Sequence, residues 1–172
     1  MRDALWLFLA LVVPWSAAAA DPAPAAHVVL RDAHGGEVGR GTLRAVAGGV
    51  RLSLAVHGLA PGVHGVHLHS VGKCEGPDFK SAGGHFNPTV RKHGLKNPLG
   101  HHAGDLPNLT VGADGAGKME MTVEGVTLGA GPLSLLGPGG SSLVVHAAAD
   151  DELTDPAGNS GARIACGVVT GG

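Results

Sequence analysis

The sequence predicts an all-β fold, a sandwich or barrel of about eight short strands that carries two long loops. Three observations predict it. Hydrophobicity of period two recurs, as in Val50-Arg51-Leu52-Ser53-Leu54-Ala55-Val56 and Lys118-Met119-Glu120-Met121-Thr122-Val123. Turn residues, 30 glycines and 11 prolines, break the chain so often that few windows have room for a helical period. Two connections are too long for hairpins, Ser70 to Pro107 and Ala148 to Ala162. Structureless loops beyond about 12–15 residues are usually functional.

The strands follow in order. His27 to Arg31 and Val38 to Val46 alternate loosely, and Val50 to Val56 alternates strictly. Val63 to His69 comes next and runs into the first long loop. Leu109 to Val111 and Lys118 to Val123 follow that loop, and the second of these alternates. Ser142 to Ala147 and Ile164 to Val169 are apolar runs on either side of the second long loop. No internal repeat and no linker divides the chain.

The first twenty residues are expected to be a signal peptide. Arg2 gives a basic start, Ala4 to Val13 an apolar run too short to span a bilayer, and Ala18 and Ala20 an A-x-A cleavage site before Asp21. Residues 21–172, about 152, then form one domain with one core. Trp6 and Trp15 leave with the signal and the chain has no Tyr, so the core must be built from Val, Leu and Ala. A formal charge of −2 gives no reason to expect a nucleic acid or an anionic membrane as partner. In an exported protein the two cysteines, Cys74 and Cys166, read as a disulfide.

The chemistry concentrates between His64 and Asp105, where seven histidines and an aspartate stand: His64, His67, His69, His85, His93, His101, His102 and Asp105. Neutral imidazole is the commonest metal ligand and suits zinc and copper. One tetrahedral site cannot use so many, so two metals are expected. Residues two apart in a strand share a face, which puts His67 and His69 together and His64 opposite. Two adjacent imidazoles make half of a square-planar nitrogen site suited to Cu(II), which His146, at the end of Leu143-Val144-Val145-His146, could help complete. The loop offers His85, His93, His102 and Asp105, a donor set that matches closed tetrahedral zinc. Glycines at 83, 84, 94, 100 and 104 let the backbone turn around an ion.

These segments resemble the copper–zinc superoxide dismutases over essentially the whole chain after the signal. The resemblance rests on Gly62-Val63-His64-Gly65-Val66-His67-Leu68-His69, Ser81-Ala82-Gly83-Gly84-His85-Phe86-Asn87-Pro88, Arg91-Lys92-His93-Gly94, His102-Ala103-Gly104-Asp105-Leu106, Leu143-Val144-Val145-His146 and Gly158-Asn159-Ser160-Gly161-Ala162-Arg163-Ile164-Ala165-Cys166-Gly167. Pro77-Asp78-Phe79-Lys80 and the signal peptide look like the bacterial periplasmic branch.

The resemblance implies an eight-stranded Greek-key barrel or sandwich of immunoglobulin-like kind, located in the periplasm. It implies one copper on His67, His69, His85 and His146, and one zinc on His85, His93, His102 and Asp105, with His85 bridging. It pairs Cys74 with Cys166 and makes Arg163 the active-site arginine beside the bridging His85. It gives Asp150 the task of orienting one histidine of each site, and it leaves His64 structural. The expected substrate is superoxide, with a homodimer left open.

Two departures bear on this. His101 doubles the zinc histidine, and only the family spacing to Asp105 favours His102. The second loop carries Asp150, Asp151, Glu152 and Asp155 but no lysine, so attraction of an anion would fall to Arg163 with Lys80, Arg91, Lys92 or Lys96. The alternative function is a periplasmic copper or zinc buffer or copper-delivery domain on the same fold. Delivery wants exchangeable soft ligands, and after the signal only Met119 and Met121 stand beside the two cysteines. A zinc hydrolase fits less well, because the zinc set is full and leaves water no open position.

Overall fold

The computed structural model describes residues 24–172, so the expected signal peptide lies outside the described residues. The described residues form ten antiparallel-paired strands: β1 (Ala25–Asp32), β2 (Glu37–Val46), β3 (Gly49–Val56), β4 (Gly62–His64), β5 (Val66–His69), β6 (Leu109–Val111), β7 (Gly117–Glu124), β8 (Ser142–His146), β9 (Arg163–Val168) and β10 (Thr170–Gly171). The one helical piece among the described residues is a 3-10 turn, Lys80–Ala82, and no helix is long and apolar enough to cross a membrane.

The strands run in the order β4-β6-β7-β3-β2-β1-β9-β8-β5, with β10 beside β1. The two ends of that path, β4 and β5, are consecutive in the chain and join at Gly65, so the sheet curls into a nearly closed barrel. The expected strand Val63 to His69 is therefore one segment with two partners, β6 before Gly65 and β8 after it. Counted as one, with β10 as a tail of β9, the strands number the eight expected. Between β3 and β4 lie β7 and β6, so the connections cross in the Greek-key manner.

Alternation builds this barrel. In β3 the residues Val50, Leu52, Leu54 and Val56 point inward, and Leu43 and Val28 do so from the neighbouring strands. The core is mainly aliphatic, with Phe86 its one aromatic among the described residues, and Leu30, Leu52, Leu68, Leu106, Leu109, Leu135 and Leu143 are inaccessible to solvent or nearly so. Each such side chain contributes roughly 1.5–3 kcal/mol of burial. A second small cluster, Phe79, Ala82, Val144 and Cys166, packs outside the barrel with Cys74 against it. There the Cys74–Cys166 disulfide ties the first long loop to β9.

All four residues of β5 are buried. Val66 and Leu68 face the core, while His67 and His69 lie under the two long loops. That covered outer face is where the chemistry collects.

Candidate metal centre

The first long loop is laid along β5 by its own backbone. Phe86 N–H donates to Leu68 O (2.8 Å), Gly104 N–H to Phe86 O (2.9 Å) and Leu68 N–H to Gly104 O (2.9 Å). This lamination sets His85 opposite His69 and Asp105 opposite His67. A side chain at Gly104 would collide with Leu68 O and the Phe86 backbone, so the close approach requires glycine. His146 arrives from β8, where the pairing with β9 slips between Val145 and His146. Such a bulge re-aims the side chain that follows it.

Four histidines converge in an outer cluster, His67, His69, His85 and His146, with one ligand atom from each within 4.8 Å of the others. His67 Nδ1, His69 Nε2, His85 Nε2 and His146 Nε2 are buried and have no hydrogen-bond partner. Buried polar atoms are almost always satisfied, so four orphans aimed at one point fit an ion with nitrogen preference. The opposite ring nitrogens are engaged. His69 Nδ1–H donates to Gly83 O (2.9 Å), His146 Nδ1–H to Gly161 O (3.2 Å) and His67 Nε2–H to an Asp150 oxygen (2.7 Å). Each partner fixes the tautomer that leaves the inward nitrogen bare. Burial pushes His69 down to about 2, His146 to about 3 and His85 to about 4, so these rings stay neutral and able to ligate.

The inner cluster is His85, His93, His102 and Asp105. Asp105 Oδ1 lies 2.9 Å from His85 Nδ1, 2.9 Å from His93 Nδ1 and 3.2 Å from His102 Nδ1, and the His85 and His102 Nδ1 atoms are 3.3 Å apart. A tetrahedral zinc with bonds of about 2.0 Å spaces its donors about 3.3 Å apart, so these residues fit it without rearrangement. Asp105 Oδ2 accepts N–H bonds from Gly94 and His102, both 2.9 Å. Burial opposes its ionisation, but three imidazoles and these amides hold its carboxyl far below the usual carboxylate range. Burial likewise opposes charge on His93, yet bonds to Asp105 and Asp150 raise it to about 9 without a metal.

His85 belongs to both clusters, Nδ1 to the inner and Nε2 to the outer. Asp150 joins them a second time, through Oδ2 to His67 and through Oδ1 to His93 Nε2 (3.1 Å). Gly158 packs on that carboxylate with φ +61°, where a Cβ would strike Asp150 Oδ1. His64 stays outside, its ring nitrogens facing His146 O (2.7 Å) and Ala60 O (2.9 Å). His101 also stays outside, its Nδ1 against His102 O (2.8 Å).

Arg163 lines a cleft of about 380 Å³ together with His69, His85, His146, Pro156 and Ala157. Its guanidinium donates to Phe79 O (2.7 Å) and Gly83 O (2.6 Å), which fixes it in place. Phe79 takes a left-handed conformation (φ 53°) at this point. The same Gly83 carbonyl accepts from His69, so one peptide aligns both the arginine and a ligand.

The acids of the second loop are engaged within the protein. Glu152 pairs with Lys96 (2.8 Å), Asp155 with Lys92 (3.0 Å), and Asp151 accepts from the Leu153 and Thr154 amides. Lys92 and Lys96 thus face these acids, and Lys80 pairs with Asp78 (2.8 Å). Of the other cations expected to attract an anion, Lys80, Lys92 and Lys96 are paired with acids and neither they nor Arg91 line the cleft, which leaves Arg163 as the cation that lines it. Sequence reasoning missed Asn108, whose side chain donates to Asp150 O (2.8 Å) and accepts from Asp150 N–H (2.7 Å). It also missed the carbonyls of Gly83 and Gly161, which no residue type advertises.

The sequence profile of the copper/zinc superoxide dismutase family matches residues 38–169. The superoxide dismutase-like protein YojM of Bacillus subtilis (strain 168) is 49% identical over 125 residues, 72% of this chain and 64% of that protein, so the chain spans just under two thirds of that relative. Superoxide dismutase (Cu-Zn) 1 of Aquifex aeolicus is 45% identical over 145 residues, 83% of this chain and 86% of that one. The crystal structure of a SOD-like protein from Bacillus subtilis superposes with a TM-score of 0.80 at 45% identity, covering 83% of this chain and 96% of that one.

Proposed function

The chain belongs to the copper/zinc superoxide dismutase family, and on that premise we propose that it is a periplasmic enzyme converting superoxide to dioxygen and hydrogen peroxide. The outer cluster holds copper through His67, His69, His85 and His146. The inner cluster holds zinc through His85, His93, His102 and Asp105 in a closed, structural site. The observation that carries this reading is the set of four partnerless nitrogens beneath a cleft with one fixed arginine. The export signal expected from the sequence and the Cys74–Cys166 disulfide support the periplasmic location.

Bound copper would supply the one-electron chemistry, alternating between its two oxidation states. The residues do the rest. Arg163, charged at any working pH, holds the anion in the cleft by its charge. Two superoxide anions and two protons give one dioxygen and one hydrogen peroxide. His85 stays on the inner cluster through Nδ1 while Nε2 takes up a proton in one half of the cycle. It gives that proton to the product in the other half, and water provides the second. Asp150 keeps the His67 and His93 rings from turning throughout.

The test compares protein loaded with copper and zinc against protein loaded with zinc alone. Catalytic removal of many superoxide ions per copper, absent from the zinc-only form, is expected. Consumption limited to one equivalent per copper would instead make the protein a metal binder.

A further inference from the structure

We infer that Asp155 is a positioning residue for the inner cluster, fixing His93 by its backbone from across the second long loop. The inference rests on the zinc reading of that cluster. His93 sits in a stretch of loop with no strand to hold it, so its ring can be placed only if its peptide is placed. Asp155 Oδ1 accepts the His93 N–H at 2.8 Å. On the other side, Asn97 Nδ2 donates to His93 O at 2.9 Å. Asp150 then needs only to set the rotation of a ring whose root is already fixed.

The two oxygens of Asp155 have separate partners, because Oδ2 takes Lys92 Nζ at 3.0 Å. That pair is exposed on both sides, and an exposed ion pair adds little. The amide bond is the half that reaches the ligand. The acids of a loop that lacks lysine thus acquire a purpose at the zinc end of the site. Asp155 grips the ligand's peptide and Asp150 grips its ring, one from each end of the same loop turn.

The experiment measures zinc affinity of the purified protein by competition with a chromogenic chelator, and records the visible bands of Co²⁺ placed in the same cluster. Asp155→Ala is expected to weaken zinc about tenfold, the lower end for partners that orient a ligand, and to alter the cobalt bands. Asp155→Asn keeps an oxygen for the amide and is expected to restore affinity to within about twofold to threefold of the parent. Lys92→Ala is expected to leave affinity within about twofold. If alanine does not fold, Asp155→Ser, too short to reach the amide, takes its place. Unchanged zinc affinity in the alanine or serine variant overturns the inference, as does an asparagine variant as weak as alanine, or a Lys92 variant that is equally weak. A parent protein that binds no zinc at the inner cluster would overturn the zinc reading itself, a separate result.

Discussion

Replacing Asp150 tests how the two clusters are joined. Its carboxylate is buried, with Oδ2 accepting from His67 and Oδ1 accepting from His93 and from Glu152 N–H (2.6 Å). Asp150→Ala strands two buried imidazole N–H groups, at about 1–3 kcal/mol each. The metal-free protein should therefore lose roughly 2–6 kcal/mol in denaturant unfolding. Both rings lose their orienting partner, so copper and zinc affinities should each fall about 10–100-fold. Asp150→Asn is more discriminating. Its carbonyl oxygen should stay at the Oδ1 position, where two donors converge, which turns the NH₂ toward His67 Nε2. That nitrogen must then accept, its proton moves to Nδ1, and the atom facing the outer cluster is blocked. Copper affinity should drop while zinc affinity stays within about threefold. Competition titrations with a chelator for each metal measure both. Loss of a single metal in Asp150→Ala, or a zinc-selective loss in Asp150→Asn, would refute the reasoning.

Three further outcomes are expected. The raised pKa of His93, about 9 against an ordinary 6.5, means its charge stabilises the metal-free fold fully below pH 6.5 and less as pH climbs through 9. Zinc must displace that proton while His85 is already neutral, so calorimetry in buffers of different ionisation enthalpy should show about one proton released near pH 7, and affinity should rise with pH up to about 9; no release would contradict the assignment. Removing the disulfide, which spans 92 residues, should cost about 4–5 kcal/mol in denaturant unfolding on the chain-entropy account, and a loss under about 1 kcal/mol would contradict it. Arg163→Ala should lower the second-order rate with superoxide about tenfold or more and flatten its ionic-strength dependence, while copper affinity stays within about twofold; a rate unchanged in the variant would remove Arg163 from substrate binding.

Much of the fold was legible because period two is a local signal. Leu52 and Met121 face one another across β3 and β7 as their alternation requires. The division at Gly65 was not legible, because nothing local tells one strand that it will serve two partners and close a barrel. The donor atoms were legible because histidine has few other reasons to recur at such spacing. Their partners were harder to read. Asp150 came only from family resemblance, and Asn108 acts through backbone contacts 42 residues distant in the chain. The second-loop acids looked hostile to an anionic substrate, since the sequence does not show that Lys92 and Lys96 fold across to meet them.

The central claim is that one imidazole, His85, serves both clusters. Placing Cu²⁺ in the outer cluster and paramagnetic Co²⁺ in the inner one tests it directly by electron paramagnetic resonance at low temperature. A shared His85 ring predicts that the copper signal collapses when cobalt is added and returns when zinc replaces it. A copper signal of full intensity beside bound cobalt would show two separate sites and contradict the account.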